Sequence, residues 1–244
     1  SDNQVKITTN YRIGETNATV DDEVDMKLYS GLKSYLPANL TFKAFDADYK
    51  VSSEKVGPTV AKDIRRDAVI AVVFALLAIF IYIFIRFRNV TYGIGGIVSL
   101  AHDSIMVIGV YSLFYHRVPF ALEVDQAFIA AVLTIIGYSI NDTVIIYDRI
   151  REYIGLYPKR NRAEIIDAAM NDTLSRTFST SFSTFIVLIP MFFLAGEVIQ
   201  GFLFGLIVGI FFGSFSSVFV ATPVAYDLAR WREKRALKKA ENKK

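Results

Sequence analysis

After Asp67 the chain is built from apolar blocks long enough to cross a bilayer. They lie at roughly 68–85, 91–114, 126–147, 177–195 and 199–228, each near or above the ~18 residues that a transmembrane helix needs. Inside hydrocarbon no water can satisfy the backbone, so spans of this length must be helices whose amide groups pair internally. Composition agrees, since 53% of the 244 residues are hydrophobic and 14% aromatic, more than an ordinary soluble domain carries. The expected fold class is a polytopic α-helical membrane protein with five transmembrane helices.

The first 67 residues are different, holding 10 of the 27 basic and 11 of the 24 acidic groups. They predict a small extracytoplasmic α+β domain over 1–55 and an amphipathic linker helix over 56–67. Val5, Ile7, Thr9, Tyr11 and Ile13 alternate with polar residues as in a half-buried strand. Thr19 with Asp22 resembles a capping box that opens a helix through Leu36, with Val24, Leu28, Leu32 and Leu36 on one stripe, and Pro37 ends it. A second strand over about 40–51 changes phase between Ala44 and Phe45, which suggests a bulge. Gly57-Pro58 then opens the linker helix.

Charge placement orients the bundle at 68–228. Arg86 and Arg88 occupy the first turn between spans, six basic residues the loop 148–176, and eight the tail from Arg230 onward, against one between 115 and 125 and none between 196 and 200. The positive-inside rule therefore sends the RFRN turn, the 148–176 loop and the basic tail at 229–244 to the cytoplasm, and the N-terminal domain to the other side. There is no cysteine, so neither a disulfide framework nor a thiolate metal site is expected. A domain that must be exported, in a chain with no initiator Met or signal-like opening, leads to the expectation of a further span upstream.

Asp142 is the residue that points to function. It sits within the third span in GYSINDT, where Ser139, Asn141 and Thr143 place hydrogen-bonding groups near it, and an ionisable side chain at such a position is expensive unless it has work to do. Asp103 lies near the middle of the second span, with His102 about 100° away around the helix. Arg176 opens the fourth span, whose first turns read TFSTSFST, and an ion pair with Asp142 across the interface is geometrically open. Gly201, Gly205, Gly209 and Gly213 recur every fourth residue, followed by Ser217 and Ala221, a ridge on which another helix can approach closely. The DRIRE cluster, Asp148 to Glu152, and Arg86 read first as interfacial charge.

These motifs, VGPTVAKDI (56–64), IRF (85–87), SLAHDS (99–104), GYSINDTVIIYDRIRE (137–152) and SRTFSTS (175–181), with the Gly-rich last span running into Ser216 and Ser217, resemble in that order the SecF family of protein-export membrane proteins. That family partners SecD within the resistance-nodulation-division superfamily. The resemblance implies a native bundle of six spans and a proton-motive-force-driven helper of the Sec translocon in the bacterial cytoplasmic membrane. It implies Asp142 and Arg176 as members of a proton path, together with an Asp from the SecD half; Asp103, Ser139, Asn141 and Thr143 are supporting polar residues on the reading of the spans themselves. The implied partners are SecD or a SecD half of the same polypeptide, the SecYEG translocon, a YajC-like accessory subunit, the translocating preprotein and the lipid bilayer, with no cofactor, metal or nucleic acid. Separate SecF and SecD–SecF fusion are both compatible. So are two other classes, a half-transporter for small molecules or lipids and a purely structural membrane subunit. An enzyme is the weakest reading, because no metal-ligand cluster, nucleophile–base arrangement or phosphate loop appears.

Overall fold

The computed structural model describes residues 5, 7, 9–13, 15, 18–37, 39–50, 53 and 58–242. Contacts divide the chain into two compact units, 1–66 and 67–244.

Among the described residues of the first unit there is no strand. Val5 and Ile7 are irregular and exposed, and Tyr11 to Ile13 form a turn, while Lys6 and Thr8 lie outside the described residues. A lone alternating segment has no ladder to join, and without one a strand's backbone groups stay unpaired. Helix α1, Ala18–Leu32, starts before Thr19, so the proposed capping residue lies within the helix rather than at its boundary. It stops at Leu32, four residues short of the expected end, where Tyr35 N–H bonds the Leu32 carbonyl at 2.8 Å. Proline at 37 disfavours helical backbone at Leu36.

The second expected strand is helical instead. A short α-helix α2, Phe42–Ala44, runs into a π-helical turn, Phe45–Tyr49. Thr41 caps it, its hydroxyl accepting from Ala44 N–H at 3.3 Å. The phase change that suggested a bulge is the helical spacing of Phe42, Phe45 and Tyr49, three and then four residues apart. Phe42 and Phe45 close on the Tyr29 ring with centroids 5.8 and 5.5 Å away, and Val20 and Phe45 are buried. Lys50 pairs with Asp25 at 2.6 Å and Asp46 at 2.9 Å, and these hydrogen bonds, Asp25 first, hold its ammonium above the usual lysine range.

Among the described residues, five helices are long and apolar enough to cross a membrane, and they form the bundle of the second unit. Helix α3, Pro58–Phe87, fuses the expected linker helix and the first span into one rod. Helix α4 is Val90–Phe114, α5 Gln126–Leu156 and α6 Arg162–Leu194. Helix α7, Glu197–Ser216, passes through a π-helical turn, Ser217–Ala221, into α8, Thr222–Glu241. Most of the expected 148–176 loop is helix, because α5 and α6 run on past their apolar stretches and leave a short connection at 157–161.

Caps set the turns between spans. Asn89, Asp125 and Asn161 each accept from a backbone N–H in the first turn of α4, α5 and α6, at 3.1, 2.8 and 3.0 Å, satisfying donors that a helix start leaves open. Arg88 ends α3 with φ 52°, the left-handed conformation that reverses a chain in few residues. The charged end is stitched by ion pairs. Arg86 meets Asp148 at 2.7 Å, and Arg149 meets Glu152 at 2.7 Å and Asp172. Charge in the DRIRE cluster thus ties α3, α5 and α6 to one another.

Candidate functional site

The site grows from the way α5 and α7 meet. On α5, Ile135, Ser139, Thr143 and Tyr147 form a row four residues apart, and on α7 and its π turn Gly209, Gly213, Ser217 and Ala221 form another. A Cβ on Gly209 would collide with Ile135, and one on Gly213 would lie 2.9 Å from Ser139 Cβ. Thr143 and Ser217 hydroxyls meet at 2.9 Å, and the Tyr147 hydroxyl donates to the Ala221 carbonyl at 3.0 Å. Every rung joins residues 74 apart, so the two helices run parallel in constant register. Glycine at 209 and 213 lets the two backbones approach where side chains could not. The outer members of the glycine ridge meet other partners: Gly201 packs under the Ala121 carbonyl, and Gly205 under the Tyr111 hydroxyl, which donates to Gly201 O at 2.6 Å.

Close approach draws the polar side chains of α4, α5 and α7 into one buried seam. Ser99, Asp103, Ser139, Thr143, Ser216 and Ser217 are all fully buried. Ser139 donates to Asp103 Oδ2 at 2.7 Å, and Ser99 donates to Ser216 at 2.9 Å. Thr222 returns its hydroxyl to the Ser217 carbonyl at 3.0 Å. His102, despite the 100° between adjacent helix positions, brings Nδ1 within 3.2 Å of Asp103 Oδ1.

Asp142 lies one turn beyond Ser139 on α5 and is 2% exposed, yet its Oδ2 has no hydrogen-bond partner. No direct ion pair joins it to Arg176 among the contacts of the described residues. Arg176 is exposed on α6, lining a cleft shared with Ile145, Arg149, Asp172 and Thr173. Asn141 falls on the exposed side of α5, away from Asp142. Of the sequence candidates, Asp103, Ser139, Thr143 and Gly213 are therefore brought together, Asp142 lies just beyond them, and Asn141 and Arg176 stand apart.

Sequence reasoning passed over Ser99, Ser216, Tyr147 and Thr222 as seam members. Two of these carried a signal: Ser99 is four residues before Asp103 and Tyr147 four after Thr143, so each shares a helix face with a candidate. The hydroxyls of α6 are largely spent on their own helix, Ser179 and Ser183 donating to carbonyls four residues back at 2.8 and 2.7 Å, although Thr184 meets the Tyr138 hydroxyl of α5 at 3.2 Å. Among the described residues no cluster of three or more His, Asp or Glu is placed to hold a metal ion.

Residues 38–231 match the family model described as protein export membrane protein SecD/SecF, C-terminal. The chain is 47% identical over 178 residues to the protein translocase subunit SecF of Rhodothermus marinus, a match covering 73% of this chain and 58% of that protein. To the protein translocase subunit SecDF of Brucella abortus it is 42% identical over 181 residues, covering 74% of this chain and 23% of the relative. A crystal structure of SecDF in a super-membrane-facing form superposes with a TM-score of 0.65 at 32% identity, covering 91% of this chain and 27% of the other. The SecDF structure from Thermus gives 0.64 at 36% identity, over 78% of this chain and 26% of the other. The chain spans about half the length of the SecF relatives it matches, 58% and 49% for two of them.

Proposed function

Because this chain belongs to the SecD/SecF family of protein-export membrane proteins, we propose that it is a subunit of the Sec protein translocase that spends the proton motive force on preprotein export. One observation carries this reading: a carboxylate buried at membrane depth with an oxygen left unpartnered. A buried polar atom without a partner costs on the order of 1–3 kcal/mol, and at a membrane-embedded carboxyl that cost is retained where the group must gain and lose a proton. Arg176, four residues along α6 from Asp172, lines a cleft that also includes Ile145 of α5, and in this reading it moves towards Asp142 or away from it. An approaching cation favours the charged carboxylate, and its withdrawal favours protonation.

Each charge that crosses the membrane potential is worth about 2.3 kcal/mol per 100 mV, enough to bias a conformational step of a few kcal/mol. The cycle couples protonation of Asp142 to rocking of the bundle, and so to movement of the N-terminal unit, which the positive-inside pattern puts outside a bacterial cytoplasmic membrane. SecD is the natural partner, since relatives carry both halves in one SecDF polypeptide, and SecYEG, with a YajC-like subunit, receives the assembly. The test is export of a preprotein into vesicles energised by an imposed proton gradient, with the complete SecDF assembly. Asp142→Asn should remove the gradient-dependent part of export while the SecD partner still copurifies. Normal gradient-dependent export by that variant would end the proposal.

A further inference from the structure

Asp103 is a second carboxyl sealed at membrane depth, with no exposed surface, 13 residues into α4, about 20 Å along its axis. A carboxylate held there as a fixed ion would need a cation. Among the described residues none of its contacts comes from Lys or Arg. What faces it is exchangeable: from α5 the Ser139 hydroxyl at 2.7 Å, and from its own helix His102 Nδ1 at 3.2 Å. On the α7 side the same Ser139 oxygen lies 3.4 Å from the Gly213 carbonyl. A hydroxyl and an imidazole both give and accept protons. His102 keeps about a third of its side chain exposed, so this pair reaches from the sealed seam to its edge. Asp142 follows Ser139 by three residues, about 4.5 Å along the helix axis, and has the free oxygen.

We infer that Asp103, with Ser139 and His102, is a second proton-carrying station that exchanges protons with Asp142. The inference rests on the proton-coupled reading of Asp142. In the transfer, the Asp142 carboxyl O–H bond breaks and its proton passes, through a water admitted between them, to the Ser139 hydroxyl oxygen. Ser139 releases its own proton to Asp103 Oδ2, where a new O–H bond forms. Negative charge thereby moves from Asp103 to Asp142, and no other reactant is consumed. Rotation of the Asp103 carboxyl group then turns that O–H towards the lone pair of His102 Nδ1, which lies 3.2 Å from the other carboxyl oxygen; transfer breaks the O–H bond, forms N–H and leaves an imidazolium beside the Asp103 carboxylate.

Proton flux into vesicles holding the complete SecDF assembly tests this, with Asp142→Asn as reference. Asp103→Asn, which keeps shape and removes only the exchangeable acid, should slow flux by about 100-fold or more, with partner copurification and unfolding midpoint close to the parent. Asp103→Glu should recover most of the flux, which a static packing role gives no reason to expect. Ser139→Ala, a single-atom deletion, should slow flux several-fold and change its solvent deuterium isotope effect, with partner copurification retained. If Asp142→Asn abolishes flux while Asp103→Asn or Ser139→Ala leaves it within twofold of the parent, the second station is wrong and the first stands. If Asp142→Asn itself leaves flux intact, the underlying reading falls and this inference with it.

Discussion

Gly213→Ala should loosen the bundle, and the size of the effect follows from one distance. The added methyl would lie 2.9 Å from Ser139 Cβ and 3.3 Å from Ser139 Oγ, whereas apolar carbons rest at about 3.5–4.0 Å. Both Cβ atoms are fixed to helix backbones, so no rotamer change relieves the overlap and the helices must part by roughly 0.6–1 Å. Overpacking of this kind costs about 1–3 kcal/mol. Displacing Ser139 weakens its bond to Asp103, adding about 1 kcal/mol, while the better helix propensity of Ala returns about 1 kcal/mol. The net expectation is a loss of about 1–3 kcal/mol. Gly137 is the internal control, because a Cβ there meets nothing within 4 Å and Gly137→Ala keeps the propensity gain of up to about 1 kcal/mol. Unfolding in detergent by a graded denaturing surfactant, followed by helical circular dichroism, gives both values. Two variants that shift together, or a Gly213→Ala protein as stable as the parent, would refute the close-approach argument.

Tyr147→Phe removes a buried donor to the Ala221 carbonyl and should cost about 0.5–1.5 kcal/mol in the same assay; a smaller loss would mean that the carbonyl finds another donor. The Arg86–Asp148 pair is roughly two-fifths exposed on both sides, so a double-mutant cycle with Arg86→Gln and Asp148→Asn should give a coupling below about 1 kcal/mol that fades with salt. At position 88, where φ is 52°, Arg88→Val should be less stable than Arg88→Gly by about 1–2 kcal/mol, since a β-branched residue resists left-handed backbone. Equal midpoints for those two variants would show that the RFRN reversal is not fixed by that dihedral angle.

The spans were legible because a bilayer imposes length and leaves a helix no alternative for its backbone. Asp142 was legible for the same reason, as a cost that stands out against a uniform apolar background. The N-terminal strands were misread because alternation over a few residues is weak evidence without partners, and Phe42, Phe45 and Tyr49 satisfy a helical period as well as a broken strand period. The glycine ridge announced close packing but not its partner. That partner is α5 in a register offset of 74, a long-range fact that no local pattern encodes. The Asp103–Ser139 contact was hidden for the same reason, whereas the His102–Asp103 contact was local and was discounted by treating side chains as rigid spokes, although the imidazole is long enough to swing back. Arg176, promising on sequence as a direct partner for Asp142, sits on the exposed side of α6 because the hydroxyl-rich stretch after it buries Thr177 and Ser181 instead.

The π turn at Ser217–Ala221 has a geometric consequence for everything beyond it. Every fourth residue of an α-helix advances by about 40° beyond a full circle, so a straight row of small residues winds off its partner within a few turns. A π turn, closing its hydrogen bonds one residue later, winds less per residue and takes back part of that drift just where the row would leave α5. The segment is a vernier: one surplus residue keeps Ala221 beneath Tyr147 and sets the angular position at which α8 leaves the bundle. Deleting a single residue there would turn α8 by about 100°, and Trp231 with the arginines around it would emerge on a different side of the molecule.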